Sequence, residues 1–400
     1  MKKISIIIIT IVLLLMCLAT VDVTYNALTG DSLYLKLKSR IDEPREIERI
    51  GNFIIGDKCS NEKAIEFPKD LAEPHLKKLS QYQDICGSKV TNSMMVFTDM
   101  PKDAIIAREN AKKLAETLKQ FNKYGIKPTV IVEPISEWGL IDFQEFGTGF
   151  YDNWIFTYFN ELKRQGVTDE MMGTWVPFPE ANLPYWNHAN AQPADFAGIV
   201  NRYLKILKQQ FPAAEGSILL NSATYETDDF EWTNGEYVSL RQYVVGLDKN
   251  LIDSVGLQGF PWVSPKEATS NAVFNPSEFL NHSLIAEAAD ILGVKDIWLN
   301  TGTFGAKYTI DPENTVYISA DKRKDLLNGI LSEAFNLKNL GYNVTINIFA
   351  QDKSLLPEAT DWSYLPNSFS RDEQAQVVFV EFASKANNNK IGLSLFDRQE

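Results

Sequence analysis

The segment NPSEFLNHSLIAEAADILGVKDIWLN, residues 275–300, is the clearest helix-and-strand unit of this chain. Asn275 suits a helix N-cap and Pro276 suits the first helical position. Apolar residues then recur at helical spacing until Gly293, which is typical of a helix that ends on glycine. Residues 296–300 follow as a short apolar strand. The segment therefore predicts one helix leading directly into a buried strand of a parallel sheet.

The same alternation of short β-rich runs and amphipathic helical patterns extends over most of the chain. Further helices are predicted from Asp103 to Gly125, from Asp152 to Gly166 and from Lys322 to Gly341. The eight predicted strands are Phe53–Gly56, Val90–Phe97, Thr129–Glu133, Thr174–Pro177, Ser217–Asn221, Ser254–Gly259, Asp296–Asn300 and Val344–Phe349. Eight such units, without a glycine-rich phosphate loop after the first strand, favour an α/β fold of the (β/α)8 TIM barrel type.

The alternation of predicted strands and helices ends after Asp352. Gln376–Phe382 and Ile391–Phe396 are rich in apolar and β-branched residues, and we expect a β-rich ending there. This ending either completes the barrel wall or forms a small appendage.

Composition limits the classes of ligand. The chain has 400 residues, 44% of them hydrophobic, and a formal net charge of −13, so it can bury a large core but lacks a basic surface for phosphates. Nucleic acid and anionic lipid are poor partners for such a protein. A neutral or cationic ligand fits the charge better.

The N-terminus predicts export from the cytoplasm. Lys2 and Lys3 precede an apolar run from Ile4 to Ala19, which is the pattern of a signal peptide. The run also suits an uncleaved membrane anchor over residues 4–20. We expect a signal peptide or anchor at 1–25, a spacer at 26–50 and a barrel at 51–400, secreted or anchored to the cell membrane.

The cysteines and histidines show no metal-site pattern. Cys59 and Cys86 follow the signal as an even pair, which suits either a disulfide in an exported protein or two buried thiols. The three histidines, His75, His188 and His282, are scattered along the chain. The sequence therefore predicts neither a metal nor another cofactor.

The predicted fourth strand leads into the segment GTWVPFPEANLPYW, residues 173–186, which carries the strongest catalytic candidate. Active sites of (β/α)8 barrels lie at the carboxyl ends of the strands, where Glu180 is expected. Apolar surroundings raise the pKa of a carboxyl group, as a general acid near neutral pH requires. Glu180 is therefore predicted to be a general acid, the alternative being a loop glutamate beside proline-rich turns.

The Glu-x-Asn-x-x-x-Trp pattern from Glu180 to Trp186, behind Pro177 and Pro179, resembles the acid/base strand of retaining (β/α)8 glycoside hydrolases. The closest resemblance is to family 26, the β-mannanase-like group. It implies that Glu180 protonates the glycosidic oxygen. The sequence departs from the family at Pro179, where the family has histidine.

A larger departure concerns the nucleophile, which this clan supplies from its seventh strand. At the end of the predicted seventh strand, Asn300 or Thr301 occupies the position where a glutamate is expected. Retaining enzymes hold their two carboxyl groups about 5–5.5 Å apart and inverting enzymes about 6.5–9.5 Å apart. Glu133, at the end of the predicted third strand, is the first choice for the second carboxylate, as a base that activates water, and its alternative is a structural partner of a nearby donor. Glu226 and Asp352 are weaker choices.

Aromatic and amide side chains are expected to complete a carbohydrate cleft at the same strand ends. Aromatic rings stack on sugar faces, and side-chain amides both donate to and accept from hydroxyl groups. The candidates for substrate binding are Trp138, Trp175, Asn182, Tyr185, Trp186, Asn221, Tyr225, Gln258, Trp262 and Asn300, with Phe260 and Trp362 as further aromatics. Any single aromatic could instead be a packing residue.

Two functional hypotheses follow from these residues. The first is an extracytoplasmic glycoside hydrolase that acts on an oligosaccharide, a β-linked polysaccharide or a cell-surface glycan, with Glu180 as general acid/base. The second is a barrel that kept the sugar cleft, lost the nucleophile and binds glycan without cleaving it. The sequence leaves the glycan, its linkage and the oligomeric state open.

Overall fold

The protein is described here by a computed structural model of one chain. The described residues are 93–136, 139–182, 193–222, 240–260, 276–302, 307–311, 314–317, 320–349 and 373–396. The predicted signal, the spacer, Cys59 and Cys86 lie outside them. None of the helices within these ranges combines the length and hydrophobicity needed to cross a membrane.

Eight parallel strands form a closed barrel, which confirms the predicted fold class. In chain order they are β1 (Ser93–Asp99), β2 (Lys127–Glu133), β3 (Thr174–Pro177), β4 (Glu215–Asn221), β5 (Ser254–Gly259), β6 (Asp296–Thr301), β7 (Asn343–Phe349) and β8 (Gly392–Phe396). Each strand pairs with its neighbours in chain order, and β8 returns to β1 with Ser394 opposite Ser93.

Helices cover the outside of the barrel. The described helices are α1 (Ala104–Lys123), α2 (Phe143–Thr148), α3 (Asp152–Arg164), α4 (Pro193–Gln210), α5 (Leu240–Val244), α6 (Pro276–Phe279), α7 (His282–Leu292), α8 (Ala320–Asn339) and α9 (Glu373–Asn388). A 3-10 turn at Asp169–Met171 precedes β3. Two short antiparallel ribbons pair Ile135–Ser136 with Gly139–Leu140, and Lys307–Asp311 with Asn314–Tyr317.

Helix α1 shows how local sequence starts and orients these helices. The Asp103 carboxylate accepts hydrogen bonds from the backbone N–H groups of Ile105 and Ile106, at 2.6 and 3.1 Å. Its apolar residues recur at three- and four-residue spacing, so that one stripe is buried against the strands. That stripe consists of Ala107, Ala111, Leu114, Ala115, Leu118 and Phe121.

The barrel interior is filled by its own small core rather than left as a channel. The inward-facing residues that form it are Met95, Ile131, Val176, Leu219 and Trp298. The Trp298 ring lies against Gly256 on β5, where an added Cβ would be 2.4 Å from the ring. Its indole Nε1 donates to the Ser217 hydroxyl oxygen at 3.0 Å. This core closes the barrel below its carboxyl-end mouth.

The barrel begins later in the chain than predicted, while the ending at Ile391–Phe396 completes the barrel wall, which was one of its two expected roles. Its first strand is Ser93–Asp99, and its last is Gly392–Phe396. The predicted strand Phe53–Gly56 lies outside the described residues. Gln376–Phe382 was wrongly predicted as β-rich, since it belongs to α9. Among the α9 side chains that the structure describes, the buried ones are Val378, Phe382, Ala383 and Ala386, which recur at helical spacing. Packing against the barrel therefore overrides the β-branched composition.

This shift renumbers the strands that carry the candidate residues. Thr174–Pro177 was predicted as the fourth strand and is β3, while Asp296–Thr301 was predicted as the seventh and is β6. The true seventh strand is Asn343–Phe349.

The helix predicted from Pro276 to Gly293 is divided in two. It breaks between α6 and α7 because Asn281 starts a new helix, and its side-chain oxygen accepts from the Ser283 backbone N–H at 3.0 Å. Gly293 ends α7 in the left-handed conformation with φ 75°, as expected from the sequence.

Candidate active site

The carboxyl ends of β1 and β2 bring two acidic residues together. Asp99 and Glu133 are the last residues of their strands and are direct partners in the parallel register. Both continue the inward alternation through Phe97 and Ile131, so their side chains are directed to the barrel mouth. Asp99 is exposed, whereas Glu133 is only 9% exposed. Glu133 thus ends a strand, as the sequence predicted, although that strand is the second of the barrel and not the third.

Asp99 was not among the predicted site residues, because the predicted strand ended at Phe97. The strand continues for two more residues, and the alternation Met95, Phe97, Asp99 was the signal that could have placed this acid in the mouth. The negative charge of Asp99 also affects Tyr158, which lies on helix α3 outside the barrel. Burial raises the pKa of the Tyr158 phenol above its usual range, and the Asp99 charge raises it further despite a 3.0 Å hydrogen bond between the Tyr158 and Thr98 hydroxyl groups.

The chain beyond β3 is held between two neighbouring strands. The Phe178 N–H donates to the Val132 carbonyl at 2.8 Å, and the Glu180 N–H donates to the Leu219 carbonyl at 2.7 Å. Phe178 and Glu180 both have φ 55°, which costs a non-glycine residue about 1–3 kcal/mol. Strained residues of this kind cluster at functional sites, which makes this strand end a candidate site.

Two asparagines hold Glu180 and the adjacent end of β4. The Asn221 Nδ2 donates to Glu180 Oε1 at 2.5 Å. The Asn182 side chain binds the Asn221 backbone at both of its polar atoms, as donor to the carbonyl and acceptor from the N–H, each at 2.8 Å. Asn182 was predicted to bind substrate. In the structure its side-chain amide instead pairs with the Asn221 backbone as a neighbouring strand would. It thereby positions Asn221, whose side chain contacts Glu180.

Four amide side chains form a row across the opposite half of the mouth. Gln258 is the register partner of Asn221, Asn300 is that of Gln258, and Asn347 on β7 is that of Asn300. We call Asn221, Gln258, Asn300 and Asn347 the amide row. Asn300 Nδ2 donates to Gln258 Oε1. Asn300 is 1% exposed, and its Oδ1 has no hydrogen-bond partner among the described residues.

Asn347 was not singled out in the sequence, although it belongs to a correctly predicted strand. The alternation Thr345, Asn347 continues the inward side of β7, in register with Trp298 and Asn300 on β6. Only the register between the two strands shows that Asn347 extends the amide row.

Trp175 does not belong to the mouth, contrary to the prediction. It precedes the inward-facing Val176, so it is directed outward, and it is 0% exposed. Its ring packs edge-on against Phe159, and its Nε1 donates to the Met172 carbonyl at 2.9 Å. Burial in the layer between strands and helices excludes contact with a ligand in the mouth.

Among the remaining candidates, the structure places Phe260, which packs at the edge of the inner core. The candidates outside the described residues are Trp138, Tyr185, Trp186, Tyr225, Glu226, Trp262, Asp352 and Trp362. Their roles stay predictions.

The described part of the chain holds no group of three His, Cys, Asp or Glu side chains arranged for a metal ion. His282 contacts the Glu333 carboxylate, with 2.7 Å between Nδ1 and Oε2, and so ties α7 to α8.

Comparison with known proteins returns glycoside hydrolases among the solved structures. A family 1 β-glucosidase from Thermotoga maritima is 11% identical at a TM-score of 0.48, covering 79% of this chain and 86% of that chain. An endo-1,4-β-D-mannanase from Thermotoga petrophila is 12% identical at 0.45, covering 77% and 94%. An exo-β-1,4-mannosidase from Opitutaceae bacterium strain TAV5 is 15% identical at 0.49, covering 79% and 57%. No family model and no curated protein matches the sequence. At these identities and TM-scores, the similarity assigns neither an activity nor site residues to this chain.

The numbers of the strands that carry the candidate residues differ from those that the resemblance implies. The resemblance implies an acid/base residue on the fourth strand, but Glu180 follows β3, and β4 ends at Asn221. The supposed loss of the nucleophile at Asn300 and Thr301 concerns β6, not the seventh strand. Beyond β7, residues 350–372, which include Asp352, lie outside the described residues.

Proposed function

We propose that this protein is a glycoside hydrolase that acts on a β-linked polysaccharide or cell-surface glycan outside the cytoplasm. The observation that carries the proposal is the placement of Glu180 in the barrel mouth, held by strained backbone and by Asn221, beside a strand that ends in a second carboxylate.

Glu180 acts as the general acid in this proposal. The Asn221 amide donates to Glu180 Oε1 and so orients the carboxyl group that delivers a proton to the glycosidic oxygen. Donation of that proton as the C–O bond breaks is the step that needs a positioned carboxylic acid. The backbone bonds of Phe178 and Glu180 to both adjacent strands hold this acid in place without dependence on a flexible loop.

Glu133 is the proposed base. It ends the strand next to β3, and the bond from the Phe178 N–H to the Val132 carbonyl ties the two acidic segments together. A carboxylate there removes a proton from water as the water attacks the anomeric carbon, and the configuration is then inverted. Asp99 is the register partner of Glu133, and its negative charge favours proton uptake by Glu133 during this step.

A second candidate function is glycan binding without cleavage. It is favoured by the strand that follows Glu180, because β4 ends at the amide Asn221 and is followed by Ser222, so that neither residue at this strand end is a carboxylate. The amide row provides hydroxyl contacts in either case.

Product release from mannans, glucans, xylans and β-galactans distinguishes the two functions. We expect the full-length chain to release reducing ends from one of them, and Glu180→Gln to lower kcat at least about 100-fold, since general acid catalysis contributes about 10²–10⁴-fold. Glu116→Gln, on the exposed face of α1, is the matched control and should retain full activity. Binding without turnover by both the wild type and Glu180→Gln would reject the hydrolase and establish the glycan-binding barrel.

The location outside the cytoplasm has its own test. Protease added to intact cells should degrade the chain if residues 1–25 direct its export. Protection in intact cells combined with digestion after lysis would contradict this part of the proposal.

A further inference from the structure

The barrel mouth is chemically divided into two halves. The ends of β1 and β2 and the segment after β3 carry the three carboxyl groups of Asp99, Glu133 and Glu180. The four following strands carry the amide row, one uncharged amide on each strand. Because β4 follows β3 around the barrel, the two halves lie side by side.

The amide row holds an acceptor that lacks a donor. Asn300 Nδ2 is occupied by Gln258 Oε1, while Asn300 Oδ1 has no partner among the described residues in a side chain that is 1% exposed. A buried acceptor of this kind is unfavourable unless a ligand or water supplies an O–H or N–H group. Inward alternation directs this side chain to the mouth and not to the helices.

We propose that the amide row is the subsite for an uncharged sugar ring and that it makes the protein select neutral glycans over glycans that carry carboxylates. This inference rests on the proposed function, because it concerns the substrate of the same mouth. A sugar hydroxyl donates to Asn300 Oδ1, and neighbouring amides both donate and accept. Register partners on adjacent strands are about 4.8 Å apart, which suits successive hydroxyl groups of one ring.

The selection has two physical components. A carboxylate in place of a hydroxymethyl group offers no donor to Asn300 Oδ1 when it is ionised. It also brings a negative charge next to Asp99, Glu133 and Glu180, and like charges at short range repel strongly where the surroundings are partly buried. Neutral sugars meet neither penalty.

The test uses pairs of β-1,4-linked oligosaccharides that differ only at C6. Manno-oligosaccharides are compared with oligomannuronates, and cello-oligosaccharides with oligoglucuronates, by titration calorimetry on the full chain with Glu180→Gln to prevent turnover. The neutral member of the pair that binds should bind at least about 10-fold more tightly than its acidic counterpart, as one lost hydrogen bond plus charge repulsion implies.

Substitution of Asn300 tests the residue that carries the inference. Asn300→Leu keeps a similar volume but removes the acceptor, and it should weaken binding of the neutral sugar about 5- to 10-fold. Asn300→Ser, which restores an acceptor, should recover part of that loss. Asn336→Leu, exposed near the carboxyl end of α8 and so at the opposite end of the barrel, is the control and should bind as the unsubstituted protein does.

The outcomes separate this inference from the proposed function. Equal or tighter binding of the acidic sugars, or unchanged binding by Asn300→Leu, would overturn the selection by the amide row while leaving glycan hydrolysis intact. An absence of binding to every glycan would reject the proposed function itself. If Asn300→Leu does not fold, Gln258→Leu provides the same comparison, because Gln258 is part-exposed and its Oε1 accepts from Asn300 Nδ2 in the same row.

Discussion

Asn182 and Asn221 are joined by two hydrogen bonds of 2.8 Å, in which the Asn182 side chain imitates a strand backbone. Since Asn221 in turn donates to Glu180, Asn182 positions the proposed acid without contacting substrate. We expect Asn182→Ala to lower kcat about 10-fold and to change KM by less than about 2-fold, because misplacement of a catalytic group mainly affects the transition state.

The kinetic parameters of the variant check this role. Asn182→Ala should also lower the unfolding free energy by about 2 kcal/mol, as two hydrogen bonds are lost. A purely structural role would predict that loss of stability with an unchanged kcat for the folded fraction. Asn250→Ala, at an exposed turn, serves as the control.

The left-handed backbone of Glu180 leads to a prediction about stability. Replacement by glycine relieves the strain at φ 55°, whereas replacement by alanine keeps it. We expect Glu180→Gly to be about 1 kcal/mol more stable than Glu180→Ala in urea unfolding. At an ordinary strand position the order is reversed, so a more stable alanine variant would show that this backbone is not strained.

Gly256 is predicted to be essential for the inner core. An alanine Cβ would lie 2.4 Å from Trp298 Cε2, and the ring cannot move away without disturbing its bond to Ser217. Gly256→Ala should therefore destabilise the protein by about 1–3 kcal/mol through overpacking.

Gly198 provides the opposite control for that experiment. It lies on the exposed side of α4, and a Cβ there meets nothing within 4 Å. Gly198→Ala should stabilise the protein by about 0.5–1 kcal/mol, which thermal unfolding can measure. Equal effects of the two substitutions would contradict the packing argument for Gly256.

The decrease of the unfolding free energy at acid pH should depend on Glu161. Two hydrogen bonds of 2.7 Å from the Arg164 guanidinium lower the pKa of Glu161 from 4.5 to about 2, and they outweigh the opposing effect of burial. Because the pKa is lower in the folded state, the ionised group stabilises the fold above pH 4.5, and this stabilisation is lost as the pH falls toward 2.

Unfolding measured against pH tests this dependence. Glu161→Gln should be less stable than the wild type at pH 7, and the difference should shrink between pH 4.5 and about pH 2. A difference that stays constant with pH would mean that the side chain acts through packing rather than charge. The exposed Glu116→Gln variant should show no such trend.

Much of the architecture could be predicted from local patterns. Periodicity and capping placed α1, α3 and α8, and the strands from Thr174–Pro177 to Val344–Phe349 were found within about two residues, because each pattern reports which face of its own element is buried. Helix α9 was missed because Gln376–Phe382 has a composition typical of strands, and only its packing at helical spacing determines its structure. Counting Phe53–Gly56 as the first barrel strand displaced the numbering of every later predicted strand by one, because the eight strands of the closed barrel begin with Ser93–Asp99.

The sequence by itself determined that the chain forms a (β/α)8 barrel and that Glu133, Glu180, Gln258 and Asn300 lie at strand ends, since alternation and spacing are properties of neighbouring residues. Tertiary structure alone decided that Glu180 follows the third strand, that Asp99 and Asn347 join the mouth, that Asn182 binds a backbone and that Trp175 is buried. These facts depend on the register between strands and on the side of the sheet to which each residue is directed. Both are set by how distant segments pack together, and closure of the barrel determines them all at once.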